Sequence, residues 1–116
     1  MSAHILVVDD EFQIRKMLRI ALKSVGYEVS EAESVSTGLA AAVRQQPDLI
    51  ILDLGLPDGD GLELLAEIRS FSSVPVIVLS VRSADLDKIK ALDIGAQDFV
   101  TKPFSVEELL ARVRAQ

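Results

Sequence analysis

The chain alternates strictly between short apolar runs and stretches with helical spacing. Five runs predict β-strands near residues 4–9, 27–32, 48–53, 75–80 and 98–101. Between them, apolar residues recur at intervals of three and four, as on the buried face of an amphipathic helix. The run at 27–32 alternates apolar and polar residues, as an edge strand does. Strict alternation of strand and helix predicts an α/β fold, in which a parallel sheet is covered by helices on both faces.

The composition narrows the classes of function. A chain of 116 residues makes one domain, and its net charge of −6 argues against direct binding to a nucleic-acid backbone. Without cysteine there is no disulfide or thiolate metal site. We find no signal sequence and no apolar run of the roughly 20 residues that span a membrane. We therefore expect a single cytoplasmic domain, 1–116, without a membrane partner.

Carboxylates follow two of the predicted strands. Asp9 and Asp10 come directly after Ile5-Leu6-Val7-Val8, and Asp53 comes directly after Leu49-Ile50-Ile51-Leu52. The carboxyl ends of parallel strands meet at one edge of the sheet, where open α/β folds place their sites. Three acids held there repel one another unless a cation lies among them, and Mg²⁺ prefers oxygen ligands. The alternative for Asp9 and Asp10 is that they cap the helix beginning near Glu11.

Two more polar residues occupy strand ends. Ser80 closes the fourth strand, and Lys102 follows the fifth and precedes Pro103, which makes the Lys102–Pro103 bond a candidate cis peptide. Taken singly, Ser80 is a turn residue and Lys102 a solvated lysine. Together with the acids they predict a site that receives a phosphoryl group. Asp53 is then the nucleophile, Lys102 and the metal neutralise charge, and Ser80 donates a hydrogen bond to a phosphoryl oxygen.

These residues resemble the motifs of the receiver domain of bacterial two-component response regulators. The matching segments are Val8-Asp9-Asp10-Glu11, Leu52-Asp53-Leu54-Gly55-Leu56-Pro57, Val78-Leu79-Ser80 and Thr101-Lys102-Pro103-Phe104. The resemblance implies a flavodoxin-like fold with strand order 2-1-3-4-5. It implies that Asp53 accepts the phosphoryl group, that Asp9, Asp10 and Asp53 bind Mg²⁺ with the Gly55 carbonyl, and that Phe99 changes rotamer with Ser80. Such a domain is a switch rather than a turnover enzyme, although it assists its own phosphotransfer and autodephosphorylation.

A narrower resemblance, over Pro47–Gly61 and Val74–Ser83, is to the OmpR/PhoB group of transcription regulators and, within it, to Kdp-type regulators of potassium transport. It implies a sensor histidine kinase of the KdpD kind as partner. It also implies homodimerisation on phosphorylation through the fourth helix, fifth strand and fifth helix, and DNA binding only through an effector domain absent from these 116 residues. The matching charged positions are Lys88, Asp93, Asp98, Glu108, Arg112 and Arg114, and the apolar ones are Ile89, Leu92 and Ala111. The alternative for the charges is an ordinary solvated helix face.

Three other interpretations are weighed against a regulator's receiver. A stand-alone receiver adaptor has the same site without an effector domain, but an excised receiver is favoured. An aspartate-nucleophile phosphatase of the haloacid-dehalogenase kind needs a general acid two residues after the nucleophile, and position 55 is glycine. A nucleotide- or flavin-binding module needs a glycine-rich turn after the first strand, and Asp9-Asp10-Glu11 would repel a phosphate in the absence of a metal.

Overall fold

The computed structural model describes residues 2–81 and 85–116. Its main sheet contains five parallel strands in the order β2-β1-β3-β6-β7. These strands are β1 (His4–Val8), β2 (Glu28–Ala32), β3 (Leu49–Leu52), β6 (Val76–Ser80) and β7 (Asp98–Thr101). Counting only these five, the order is the predicted 2-1-3-4-5, and β2 is the edge strand. The predicted ends agree with the observed ends to within one residue.

Two short strands escaped prediction. β4 (Gly55–Leu56) and β5 (Gly59–Asp60) form an antiparallel hairpin in the loop that follows Asp53. Each contains two residues, too few for an alternating pattern to show in the sequence. The hairpin leads into α3 without a longer connection.

Within the described residues, five helices cover the sheet: α1 (Phe12–Ser24), α2 (Val35–Gln45), α3 (Gly61–Arg69), α4 (Asp85–Ile94) and α5 (Val106–Arg114). Glycines with positive φ follow α1 and α4, at Gly26 (98°) and Gly95 (126°), as the sequence predicted. Ser105 is the N-cap residue of α5, and its hydroxyl accepts a hydrogen bond from the Glu108 amide.

The core has two layers because successive side chains of a strand point to opposite faces. In β1, Leu6 and Val8 pack on the face covered by α2, α3 and α4. Ile5 and Val7 pack on the face covered by α1 and α5. Every residue of β3 and β6 is buried, as expected for central strands of a parallel sheet covered on both sides.

The α4 helix packs differently from its sequence pattern. Leu86, Ile89 and Leu92 carry the helical spacing, yet all three are exposed, while Ala91 is the residue buried against the sheet. An apolar stripe on α4 therefore remains on the surface. In the described part of the chain, no helix is both long enough and apolar enough to cross a bilayer. Arg82 and Ser83, at the end of the Val74–Ser83 stretch, lie outside the described residues.

Candidate functional site

Backbone hydrogen bonds that continue the sheet past its strands hold the predicted site residues in place. The Asp9 amide donates to the Ala32 carbonyl at 3.0 Å, and the Asp53 amide donates to the Val8 carbonyl at 2.8 Å. The Lys102 amide donates to the Ser80 carbonyl, also at 2.8 Å. Each residue is thus the first beyond its strand and is still bonded to the neighbouring strand. The sheet itself brings Asp9, Asp53 and Lys102 to one edge.

The three acids form the predicted cluster. One carboxylate oxygen from each of Asp9, Asp10 and Asp53 lies within 4.8 Å of the other two. Asp9 and Asp53 are buried, with 2% and 5% of their surface exposed, whereas Asp10 is exposed. Three hard oxygen donors, open to solvent on the Asp10 side, suit a divalent cation such as Mg²⁺ that keeps part of its water shell. The acidic pocket could therefore bind a metal ion.

Lys102 lies in the same pocket. Its Nζ is 2.9 Å from Asp9 Oδ2, 3.7 Å from Asp53 Oδ1 and 3.5 Å from Glu11 Oε1. The side chain is only 7% exposed, which excludes the solvated alternative. The Lys102–Pro103 peptide is cis, as predicted. The ammonium group thus lies among the carboxylates and balances part of their charge.

The surroundings shift the pKa of the proposed acceptor. Burial raises the pKa of Asp53 above its usual 3.8, and the charge of Asp9 raises it further, against the opposing effects of Lys102 and of a hydrogen bond from the Gly55 amide. For Lys102, burial opposes the charged form. The hydrogen bond to Asp9 and the nearby carboxylates outweigh burial and raise the pKa of Lys102. A second cation in the pocket would further stabilise the charged form of the Asp53 carboxylate.

The capping alternative for the early acids is partly correct. The Glu11 amide donates to Asp9 Oδ1 at 2.9 Å, so Asp9 stabilises the turn into α1 as well as the ammonium of Lys102. The N-cap residue of α1 is Glu11, whose own side chain makes no capping hydrogen bond. One carboxylate oxygen of Asp9 therefore accepts a hydrogen bond from the Glu11 amide, and the other accepts one from the Lys102 ammonium.

The segment after Asp53 packs closely around this residue at two glycines. Gly61 begins α3, and a Cβ built on it would lie 2.6 Å from the Asp53 carbonyl oxygen and from Leu54 Cα, so a larger residue would force the main chain to shift. A Cβ at Gly55 would lie in ordinary contact, 3.8 Å from Asp53 Oδ2, so the glycine puts no side chain beside that carboxylate oxygen. The start of α3 thus packs closely on the main chain of Asp53 and Leu54.

Asp58, at the tip of the hairpin, holds the hairpin against α2, a role that the sequence did not indicate. Its two carboxylate oxygens accept hydrogen bonds from the amides of Val35, at 2.7 Å, and Ser36, at 3.1 Å, at the start of α2. Those bonds lower the pKa of Asp58, as expected for an acid at a helix N-terminus. The hairpin that contains Gly55 is therefore tied to α2.

Ser80 and Phe99 lie at the adjoining strand ends. Ser80 is fully buried at the end of β6, where it pairs in register with Thr101 of β7. Phe99 of β7 is buried in the layer shared with α3 and α4. A movement of Ser80 toward Asp53 would therefore take place within packed structure that includes the aromatic ring.

On the surface formed by α4, β7 and α5, some of the predicted interface residues are exposed and others are paired within the chain. Ile89 and Leu92 are exposed, and so are Lys88, Asp93, Ala111 and Arg114. Arg112 is already paired within the chain: its guanidinium is 2.8 Å from Asp98 Oδ2 and 2.9 Å from Glu108 Oε1. Three of the charged residues that the resemblance assigns to contacts between subunits thus form ion pairs with one another within this chain.

The fold and the pocket together define a class of protein. Residues 5–114 match the family model of the response regulator receiver domain, and the chain belongs to that family. A crystal structure of a CheY-like receiver domain protein from Methanospirillum hungatei superposes with a TM-score of 0.96 at 28% identity, over 99% of this chain and 93% of the other.

The similarity extends to particular regulators. The chain is 56% identical to the KDP operon transcriptional regulatory protein KdpE of Escherichia coli over 111 residues, covering 96% of this chain and 49% of that protein. It is 51% identical to the KdpE of Mycobacterium tuberculosis, with the same coverage. The chain therefore spans about half the length of these relatives, and the expected Kdp-type resemblance is confirmed.

Proposed function

We propose that Asp53 accepts a phosphoryl group from a phosphohistidine of a sensor histidine kinase, and that Mg²⁺ is required. The observation that carries the proposal is the convergence of Lys102, Asp9 and Asp10 on the Asp53 carboxylate. Similarity to KdpE regulators supports a KdpD-like kinase as the donor. The reaction takes place in the cytoplasm, in a single domain whose own acidic charge does not suit DNA.

The transfer forms one bond and breaks another. An oxygen of the Asp53 carboxylate bonds to phosphorus while the phosphorus–nitrogen bond to histidine breaks, and the electron pair returns to the imidazole. The Asp53 oxygen needs no general base once it is ionised. The Lys102 ammonium, 3.7 Å from Oδ1, favours the ionised form and opposes the burial that raises the pKa of Asp53. Gly55 puts no side chain beside the carboxylate and offers no general acid.

The donor set for Mg²⁺ would be the acid cluster, joined by the carbonyl of Gly55 that the family resemblance implies. Bound there, Mg²⁺ would neutralise charge on the carboxylates and on the incoming phosphoryl oxygens. Lys102 would turn from Asp9 toward the same oxygens. The Ser80 hydroxyl would donate to one of them, and the ring of Phe99 would fill the space that Ser80 leaves.

The output is dimerisation through the surface made of α4, β7 and α5. Phosphorylation adds about −1.5 to −2 charges at Asp53 and biases an existing equilibrium of that surface. Arg112 would exchange its internal partners for those of a second copy, which changes the energy little because exposed ion pairs contribute about 0–1 kcal/mol. The exposed stripe Leu86, Ile89 and Leu92 would supply most of the affinity.

In a Kdp-type regulator the dimer would place two attached effector domains on DNA and so control transcription. The Kdp-type similarity favours this arrangement over a stand-alone adaptor. The receiver is used stoichiometrically, and it assists its own dephosphorylation when water replaces the histidine. Multiple turnovers on a small phosphate ester would instead support the phosphatase alternative.

The decisive experiment is labelling by acetyl phosphate with and without Mg²⁺. We expect the wild type to be labelled only with Mg²⁺, and Asp53→Asn to remain unlabelled. Asp48→Asn is the matched control, because it removes an acid that precedes β3, at the opposite edge of the sheet, and accepts a hydrogen bond from the His4 amide. Equal labelling of the wild type and Asp53→Asn would assign the acceptor elsewhere.

A further inference from the structure

Arg15, on α1, reaches back across the turn that contains the early acids. Its Nη1 donates a hydrogen bond of 2.8 Å to the main-chain carbonyl oxygen of Asp9. Neither the motifs of the family resemblance nor the helical pattern of α1 marked this residue. Only 12% of its side chain is exposed, so it is not an ordinary surface arginine.

At the Asp9 carbonyl, the hydrogen bond comes from a side chain instead of from the neighbouring strand. The Asp9 amide still bonds to Ala32 of β2, but its carbonyl oxygen bonds to Arg15. Asp9 is 2% exposed, so water has little access to that oxygen. A buried carbonyl without a partner is unfavourable, and Arg15 supplies the partner.

The guanidinium of Arg15 is itself fixed. Its Nε lies 3.2 Å from Glu31 Oε1 on the edge strand β2, and Arg19 holds the other oxygen of Glu31 at 2.6 Å. Glu33 is 3.9 Å from Nη2. A planar guanidinium with several donors can bond to a carboxylate and a carbonyl together, which a lysine ammonium does with much less directional control. The carbonyl is thus tied to both α1 and β2.

The direction of this carbonyl fixes the peptide that joins Asp9 to Asp10, and hence the path of both side chains into the pocket. We infer that Arg15 is a positioning residue that pre-orients the acid pair for a divalent cation. The inference rests on the proposed Mg²⁺-dependent function and adds a residue to it. Groups that orient metal ligands from outside the coordination sphere typically change metal affinity 10- to 100-fold when they are mutated.

Positioning and simple electrostatics predict opposite results. Arg15 is a cation close to the acids, so removing its charge alone should tighten the binding of Mg²⁺. Loss of positioning should weaken it. Arg15→Met tests the sign, and Arg15→Lys keeps the charge while losing the guanidinium geometry. Arg19→Met is the matched control, because it removes a cation from the same Glu31 without touching Asp9.

The measurement is calorimetric titration with Mg²⁺, together with the carbonyl-carbon NMR shift of Asp9 in metal-free protein. We expect about tenfold weaker Mg²⁺ binding in Arg15→Met and several-fold weaker binding in Arg15→Lys. Arg19→Met should bind Mg²⁺ as the wild type does or more tightly. The Asp9 carbonyl shift should move in both Arg15 variants and stay unchanged in Arg19→Met.

The outcomes separate the inference from the function beneath it. A wild type that does not bind Mg²⁺ would overturn the proposed function and this inference with it. A wild type that binds Mg²⁺, with equal or tighter binding in Arg15→Met, would overturn the inference alone. If Arg15→Met does not fold, Arg15→Lys decides: unchanged affinity and an unchanged Asp9 carbonyl shift would refute the role.

Discussion

Lys102→Met should strongly destabilise the metal-free protein. Methionine keeps the length and apolar stem of the side chain but removes the ammonium, which lies 2.9 Å from Asp9 and 3.7 Å from Asp53. Both acids are buried, so water can replace little of the lost stabilisation. The variant leaves the clustered carboxylates without their internal cation.

The expected magnitude follows from the spacing. At 4.8 Å, the limit within which the acid oxygens lie, two unit charges repel by about 3.5 kcal/mol at an effective dielectric constant of roughly 20. Removing one partner of a buried ion pair typically costs about 3–5 kcal/mol. Because Asp10 opens the site to water, we expect about 3 kcal/mol. For 116 residues this lowers the melting temperature by about 12 °C.

The assay is urea and thermal unfolding at neutral pH in the presence of a chelator, run as a double-mutant cycle with Asp9→Asn. In the Asp9→Asn background the loss on Lys102→Met should shrink to about 1 kcal/mol, because the main partner of the ammonium has lost its charge. Lys88→Met, on the exposed side of α4, is the control and should change stability by less than about 0.5 kcal/mol. A loss of the same size in both backgrounds would refute the reasoning.

Three further predictions concern the acceptor, the hairpin and the output surface. Because its folded pKa is raised, Asp53 contributes most to stability below its unfolded pKa near 3.8, and this contribution is lost as pH rises through the folded pKa. Metal-free Asp53→Asn should therefore be more stable than the wild type at neutral pH, and the gap in urea midpoints should close in acid. A gap that does not depend on pH would contradict this. Gly61→Ala should destabilise by about 1–3 kcal/mol, since the new Cβ would be 2.6 Å from main chain, whereas Gly55→Ala should be nearly neutral; equal melting temperatures would count against the packing argument. Arg112→Glu places an acid beside Asp98 and should weaken phosphorylation-promoted dimerisation about tenfold or more in sedimentation velocity, so unchanged dimerisation would remove Arg112 from the interface.

The sequence was most informative where a strand or helix was long enough to show a clear pattern of apolar residues. Runs of four buried aliphatics marked β1, β3 and β6, and the ends of the first two located Asp9 and Asp53. Because the ends of parallel strands share one edge of the sheet, the sequence alone could place together Asp9 and Asp53, which are 44 positions apart. The bond from the Asp53 amide to the Val8 carbonyl is the physical form of that argument.

The sequence could not indicate isolated polar contacts between one element and another. Arg15 and Asp58 look like solvated residues, because nothing nearby in the chain indicates a partner such as the Asp9 carbonyl or the Val35 amide. The pairing of Arg112 with Asp98 depends on how α5 packs beside β7. Single hydrogen bonds of this kind have no periodicity, so only the folded arrangement shows them.

The most direct test of the central claim is chemical mapping of the phosphorylated residue. Hydride reduction of an aspartyl phosphate converts that aspartate to homoserine, which peptide mass spectrometry can locate. After reaction with acetyl phosphate and Mg²⁺, we predict homoserine at position 53 and at no other aspartate. Homoserine at Asp9 or Asp10, or labelled protein without homoserine, would contradict the assignment of Asp53 as the phosphoryl acceptor.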